Sequence, residues 1–207
     1  RPSAVTPSPR ESRRVGTPSR KGVAGASGGM SFWMMCRQIG VGYWLHSTAG
    51  LLRLVESVAR TTFAARQEPD DVALWYVLLA REKALAGLYR VKQQRQIAEF
   101  LMRDFSLEQS RTAAAKNAYV LLGKHRHEMA IAFFLLAGDV PGAVNICMSR
   151  LNDPQLALLI CRVMEHRLSV SQDELLASTL RQIVRLSDEA KPTPLFHERA
   201  MALWMLG

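Results

Sequence analysis

The sequence predicts an all-α fold, an α-solenoid-like array of antiparallel helix pairs that follows a disordered N-terminal tail. Apolar residues recur at i, i+3, i+4 and i+7 along most of the chain, and no stretch shows sustained alternation of β-branched residues. Three successive helix starts are expected near Lys124, Asp139 and Asp153, about 15 residues apart, as in helical repeats. Short helices of this kind bury their apolar faces only by stacking on neighbours. A compact helical bundle has the same pattern, so periodicity leaves both arrangements open.

Residues 1–29 are predicted to be a disordered basic linker rich in proline, serine and glycine. Valine is their largest apolar residue, so little burial offsets the entropy of ordering them. Six of their residues are Lys or Arg and one is acidic, so they supply five of the nine net positive charges of the chain. The segment 30–207, predicted to be a helical solenoid piece of a larger protein, is therefore only mildly basic. The tail is either a solvated linker or a target for kinases and acidic partners.

From Met30 the sequence becomes apolar. The stretch MSFWMMCRQIGVGYWLHS predicts one or two helical turns followed by a turn at Gly40–Gly42, packed on the helices that come next. An exposed partner site is the alternative for this stretch. Residues 51–63 (LLRLVESVARTTF) have helical spacing, and Pro69 followed by Asp70 and Asp71 predicts the next helix start.

The second half of the chain contains several residues typical of helix starts and ends. Ser106 with Gln109, and Ser171 with Glu174, fit the capping box, and Thr193–Pro194 fits another helix start. Gly123 and Gly138 are expected to end helices in the left-handed conformation. The central helices should turn small and apolar residues inward: Ala130, Phe133, Phe134 and Ala137, then Ala143, Val144 and Cys147, then Leu156, Leu159, Ile160 and Val163.

No pattern in the sequence supports catalysis or cofactor binding. Cys36, Cys147 and Cys161 are too scattered for a metal site or a disulfide framework and are expected to be buried thiols. His125 and His127 are two residues apart, so they point to different faces of a helix and do not bind one metal together. Phosphate-binding loops, dinucleotide fingerprints and nucleophile elbows are all missing. The sequence thus predicts a protein that is not an enzyme and holds no cofactor.

Two basic clusters are candidate binding surfaces. One follows Arg81 to Arg95, and the other surrounds Gly123. Nucleic-acid binding would call for aromatic residues on the same exposed face, whereas the aromatic residues here have the spacing of core positions: Trp75, Tyr76, Tyr89, Tyr119, Phe133 and Phe134. Solvated faces, an acidic protein surface and anionic lipid remain open for both clusters.

The order of several motifs resembles one known family. ALWYVLLAREKALAGLYRV (Ala73–Val91), FLMRDFS (Phe100–Ser106) and the long run that begins RTAAAKNAYVLLGKHRHEMAIAFFLLAGD (Arg111–Glu165) resemble the RAVE-complex scaffold subunits, which include the DmX-like proteins, or rabconnectins. RQIGVGYW (Arg37–Trp44) and ERAMALWMLG (Glu198–Gly207) are similar to it in the same order.

This resemblance implies the C-terminal helical region of a large cytoplasmic WD-repeat protein. It implies a non-catalytic scaffold that promotes assembly of the vacuolar proton ATPase and hence organelle acidification. The expected partners are subunits of the ATPase peripheral sector and other RAVE subunits, with peripheral association at endosomal or vacuolar membranes through them; nucleic acid is not expected. Family motif positions suggest six partner-binding residues: Lys83, Arg90, Arg111, Lys116, Asn117 and Lys124.

Two glycines on motif positions have structural explanations, Gly87 in close packing and Gly123 in a helix cap. The alternative functions are a helical-repeat nucleic-acid-binding module, motivated by the basic clusters, and a vesicle-coat or tethering solenoid, motivated by fold analogy.

Overall fold

The computed structural model of the chain describes residues 31–168, 173–189 and 196–206. Within these ranges there are twelve α-helices and no strand, which confirms the all-α prediction. The predicted linker 1–29 and the helix-start signals at Ser171 and at Thr193–Pro194 lie outside the described residues. The helices are α1 (Phe32–Gln38), α2 (Val41–Trp44), α3 (Thr48–Arg66), α4 (Pro69–Leu78), α5 (Glu82–Val91), α6 (Arg95–Leu101), α7 (Glu108–Gly123), α8 (His127–Ala137), α9 (Val140–Ser149), α10 (Pro154–Leu168), α11 (Asp173–Glu189) and α12 (Phe196–Leu206).

Several helix termini form where the sequence predicts them. Gly40 has a φ of 69° and makes the predicted turn between α1 and α2, and Gly138 ends α8 with a φ of 79°. Pro69 occupies the first turn of α4 with two carboxylates beside it. Asp139 caps α9 by accepting a hydrogen bond from the Gly142 N–H at 2.8 Å.

Two predicted termini are wrong. Helix α7 is preceded by Leu107, which makes no side-chain cap, while the Ser106 N–H donates to Asp104 Oδ1 at 2.9 Å instead. Gly123 is the last helical residue of α7, and the left-handed residue is His125, with a φ of 58°. The chain therefore turns two residues later than predicted, and α8 begins at His127 rather than near Lys124.

Helix α8 is the centre of the core. Every residue from Met129 to Ala137 is buried, because α4, α7 and α9 all pack against this helix. The Phe133 ring stacks on Phe100 with centroids 5.4 Å apart. The inward faces predicted for α8, α9 and α10 are all buried, which confirms those predictions. Most helices pack on their neighbours in sequence, and α2 and α3 also pack on α10.

A buried carboxylate joins α1 to the start of α10. Asp153 is 3% exposed and accepts a hydrogen bond from Trp33 Nε1 at 2.9 Å. The Arg37 guanidinium lies 3.4 Å from the same carboxylate. The other oxygen of Asp153 accepts from the Leu156 N–H at 3.0 Å and so caps α10. One side chain thus satisfies a helix terminus and a buried indole.

Helix α2 lies directly on α10 at Gly42. A Cβ at this position would come within 2.5 Å of Gln155 Cβ and 2.8 Å of the Gln155 backbone. Gln155 Oε1 accepts from the Gly42 N–H, and Arg162 donates to three carbonyl oxygens at the end of α2, those of Gly42 (2.6 Å), Tyr43 (3.2 Å) and Leu45 (3.2 Å). The RQIGVGYW motif is therefore a docking element for α10.

Further predicted features can be compared with the described residues. Cys36, Cys147 and Cys161 are buried free thiols, as predicted. Gly87 has open space where a Cβ would lie, so the prediction that close packing explains it is wrong. None of the described helices is both long enough and apolar enough to cross a membrane.

Candidate partner-binding surface

All six residues predicted to bind a partner are exposed, and they fall on two helices and one turn. Lys83 and Arg90 lie on α5, whereas Arg111, Lys116 and Asn117 lie on α7 and Lys124 follows its end. The structure therefore does not gather them on a single element.

Lys83 and Arg90 share one face of α5, because they are seven residues apart. Neither forms an ion pair within the described part of the chain, whereas two neighbouring cations do. Arg81 contacts Glu56 at 2.9 Å and Lys92 contacts Glu68 at 2.8 Å. The two predicted residues are thus the cations of α5 left available to another molecule.

Arg111 has an intramolecular role. Its Nε donates to the carbonyl oxygen of Ala137 at 3.0 Å, where α8 ends. The guanidinium also covers Gly138, since a Cβ there would come within 2.8 Å of Arg111 Nη2. A cation at a helix C-terminus satisfies an orphan carbonyl and opposes the helix dipole. The side chain therefore stabilises the α7–α8 pair.

Lys116 belongs to an exposed ridge of α7 that we call the α7 ridge, made of Lys116, Tyr119, Val120 and Gly123. Tyr119 and Val120 follow Lys116 by three and four residues, so they share its helix face. Their exposed fractions are 63% and 54%. The prediction that Tyr119 occupies a core position is thus wrong, although its ring edge contacts Phe134 at a centroid distance of 5.1 Å.

A cleft of about 340 Å³ adjoins the end of this ridge. Its lining combines one aromatic ring, one aliphatic side chain and basic or imidazole groups, and it includes no carboxylate: Tyr119, Leu122, Gly123, His125, His127 and Arg150. Arg150, just after α9, is exposed and has no ion pair among the described residues. The sequence offered no sign of it, because Arg150 is distant from the ridge along the chain.

The turn beside the cleft is held by a carboxylate of α4. Asp70 Oδ1 accepts a hydrogen bond from the buried Tyr89 hydroxyl at 2.7 Å, and Asp70 Oδ2 accepts one from Arg126. Burial raises the pKa of Tyr89, and the hydrogen bond to Asp70 raises it further. Asp70 therefore links the α7–α8 turn to α4 and α5, in addition to its predicted place at the start of a helix.

The two histidines of this turn lie beside each other. The His125 and His127 rings meet edge to face with centroids 5.9 Å apart. Among the described residues, no group of three or more His, Cys, Asp and Glu side chains could hold a metal ion. Burial raises the pKa of the Cys161 thiol to about 11 and also raises the pKa of Cys147, so these groups are neutral thiols near pH 7.

The stretch before α3 is divided between the two predicted alternatives. One side of α1 and α2 enters the core, including Trp33, Cys36 and Tyr43. The other side is exposed and apolar, and its residues are Met34, Met35, Ile39 and Trp44.

The comparison with protein families finds one family over most of the chain. The family model described as RAVE protein 1 C terminal matches residues 23–190, which cover most of the chain. The chain belongs to this RAVE family. The match includes the docking motif of α2, the α7 ridge and the cleft.

Named relatives are found in animals and yeasts. DmX-like protein 1 of Homo sapiens is 40% identical over 139 residues, which cover 67% of this chain and 5% of that protein. The Saccharomyces cerevisiae protein named regulator of V-ATPase in vacuolar membrane protein 1 is 31% identical over 166 residues, 77% of this chain and 12% of that protein. The Schizosaccharomyces pombe protein of the same name is 30% identical over 139 residues, which cover 64% of this chain and 11% of that protein. The RAVE-family chain thus spans a small part of these relatives.

Proposed function

We propose that this chain is a non-catalytic scaffold segment of a RAVE-type regulator that promotes assembly of the vacuolar proton ATPase. The observation that carries the proposal is the family match over residues 23–190, together with yeast relatives named as regulators of that ATPase in the vacuolar membrane. Its partners are subunits of the ATPase peripheral sector and other RAVE subunits. The protein is cytoplasmic, and these partners hold it at endosomal or vacuolar membranes.

The fold suits a scaffold. Helices α4, α7 and α9 bury α8 from Met129 to Ala137, while the outer faces of α5 and α7 are exposed. Those faces carry Lys83, Arg90, Lys116 and Lys124, and none of these side chains forms an ion pair within the described residues. Cations without a partner steer association with acidic surfaces and add specificity more than affinity.

A nucleic-acid-binding module remains the second candidate, because Tyr119 is exposed beside Lys116. An aromatic ring among cations is what a single-stranded nucleic acid stacks on. The net positive charge of the folded region is small, however, and one ring provides only one stacking site. We therefore favour a protein partner and use RNA as a competitor in the tests.

The proposal is tested in cells whose full-length protein carries altered versions of this segment. Deleting the segment should slow reassembly of the ATPase and raise organelle pH, whereas the pair Lys83→Gln and Arg90→Gln should slow reassembly in part. The matched control, Arg53→Gln with Arg60→Gln, removes the same charge from the exposed face of α3. Normal reassembly and normal organelle pH after deletion would exclude the proposed function.

A further inference from the structure

We propose that the α7 ridge and its cleft bind an acidic segment of a partner protein, with a carboxylate of that segment at Arg150 in the cleft and an apolar side chain against Tyr119. The inference rests on the proposed function, because it requires a protein partner, and it names the chemistry of that partner. Of the six predicted partner-binding residues it keeps Lys116 and Lys124, and it adds Tyr119, Gly123 and Arg150.

Charge complementarity identifies the occupant. From Glu108 to Glu128 there are four Lys or Arg residues and two acidic residues; Arg111 contacts Glu108 and Arg126 contacts Asp70, which leaves Lys116 and Lys124 without such a contact. The cleft lining contains no carboxylate. Within the described residues, Lys116, Lys124 and Arg150 make no ion pair. The three cations Lys116, Lys124 and Arg150, which no described carboxylate pairs, fit a negative partner surface.

The apolar part of the site favours a protein over a simple anion. Tyr119 and Val120 are both more than half exposed, and Leu122 forms part of the cleft wall. Tyrosine and arginine are the residues on which binding energy at protein interfaces concentrates. A partner side chain that covers the Tyr119 ring would remove water from the cations around it and strengthen their contacts with a carboxylate.

Gly123 supports the same site. Its φ is not positive and a Cβ would meet nothing within 4 Å, so neither backbone conformation nor packing requires glycine there. Glycine at a helical position costs about 1 kcal/mol relative to alanine. Its effect on the surface is to leave open space beside Tyr119 at the cleft, which a partner side chain can enter.

The experiment measures binding of the 207-residue chain to the isolated peripheral sector of the ATPase, for the wild type and three variants. The pair Tyr119→Ser with Arg150→Gln should weaken binding about tenfold or more. Gly123→Gln should weaken it by filling the cleft. The control pair, Met102→Ser with Arg60→Gln, removes one exposed apolar side chain and one exposed cation elsewhere and should bind like the wild type.

Carbodiimide cross-linking adds a readout that reports the carboxylate directly. The reagent joins a lysine amine to a carboxylate in contact with it as an amide, with loss of water, so mass spectrometry should find Lys116 or Lys124 attached to an Asp or Glu of the sector.

Equal binding by the wild type and all variants would overturn the inference and leave the proposed function intact. No binding by the wild type would overturn both. Binding that RNA or anionic phosphatidylserine vesicles displace, with the same variants affected, would overturn the assignment to an acidic protein.

Discussion

At the residue scale, a few side chains make contacts that the neighbouring residues in the sequence do not predict. Asp153, Gln155 and Arg162 each satisfy polar groups of α1 or α2 across more than a hundred residues of chain. A sequence pattern can predict that Asp153 begins a helix, because capping is local. It cannot predict the Trp33 indole as a second partner, because that contact depends on how distant helices pack.

Gly42 should be the least tolerant glycine of the described region. Alanine there would force α2 away from α10, because its Cβ would overlap Gln155, and we expect a loss of about 1–3 kcal/mol in the free energy of unfolding. Gly87→Ala is the control, since open space surrounds that position, and it should add about 0.5–1 kcal/mol. Urea unfolding measures both changes in the free energy of unfolding. Equal changes for the two variants would contradict the close approach of α2 to α10.

Arg162 should be needed for the same contact. Replacing it with Met keeps the side-chain length but leaves three carbonyl oxygens at the end of α2 without their donor, so we expect a loss of about 3 kcal/mol. Arg60→Met, on the exposed face of α3, should change stability little. A small effect of Arg162→Met in thermal unfolding would show that α2 does not depend on this side chain.

The cysteines should be unreactive until the protein unfolds. A folded-state pKa of about 11 for Cys161, against about 8.5 in an unfolded chain, favours the protonated thiol in the fold. This contribution to stability is fully present below about pH 8.5 and is lost as the pH rises toward the folded value. Ellman's reagent at pH 8 should label none of the 3 cysteines in the native chain and all of them in guanidinium. Rapid labelling of Cys147 or Cys161 in the native chain would contradict their burial.

At the element scale, sequence periodicity predicted the helices and their buried faces well. Most core contacts in this fold form between helices adjacent along the chain, so local spacing contains much of the information about them. The errors lie at helix termini and at Tyr119. Leu107 precedes α7 where Ser106 was expected, because the Ser106 N–H bonds locally to Asp104, and His125 rather than Gly123 is left-handed.

Tyr119 was misassigned because α7 carries apolar residues on almost every side. Ala114 and Ala118 form the face that is fully buried, which leaves the larger Tyr119 and Val120 outside. Small residues let α7 approach α8 closely, so size and not hydrophobicity decides which face turns inward. An apolar residue left outside in this way marks a candidate contact with another molecule.

The core role of α8 can be tested by one pair of variants. Phe133→Ala removes a buried ring stacked on Phe100, so we expect a loss of about 3–5 kcal/mol. Tyr119→Ala removes an exposed ring of α7 and should cost far less. Melting temperatures report both, and an unchanged midpoint for Phe133→Ala would mean that the core face is assigned incorrectly.

At the scale of the whole molecule, the motifs that identified the RAVE family serve two purposes. RQIGVGYW is largely structural, because its Arg37, Gly42 and Tyr43 positions lie against α10. KNAYVLLGK is largely a surface, because it supplies Lys116, Tyr119 and Lys124. The resemblance alone could not separate these roles, since a motif records residue types without exposure. Of the six predicted binding residues, Arg111 makes an internal contact within the described part of the chain, to the Ala137 carbonyl.

The most direct test of the scaffold function is binding of the purified chain to the isolated peripheral sector of the vacuolar ATPase, at low and moderate salt and with an RNA competitor. We predict binding that persists at moderate salt and that RNA does not displace, because apolar contacts at the α7 ridge accompany the charged ones. Failure to bind the sector, with RNA retained and affinity falling steeply with salt, would contradict the account and support the nucleic-acid alternative.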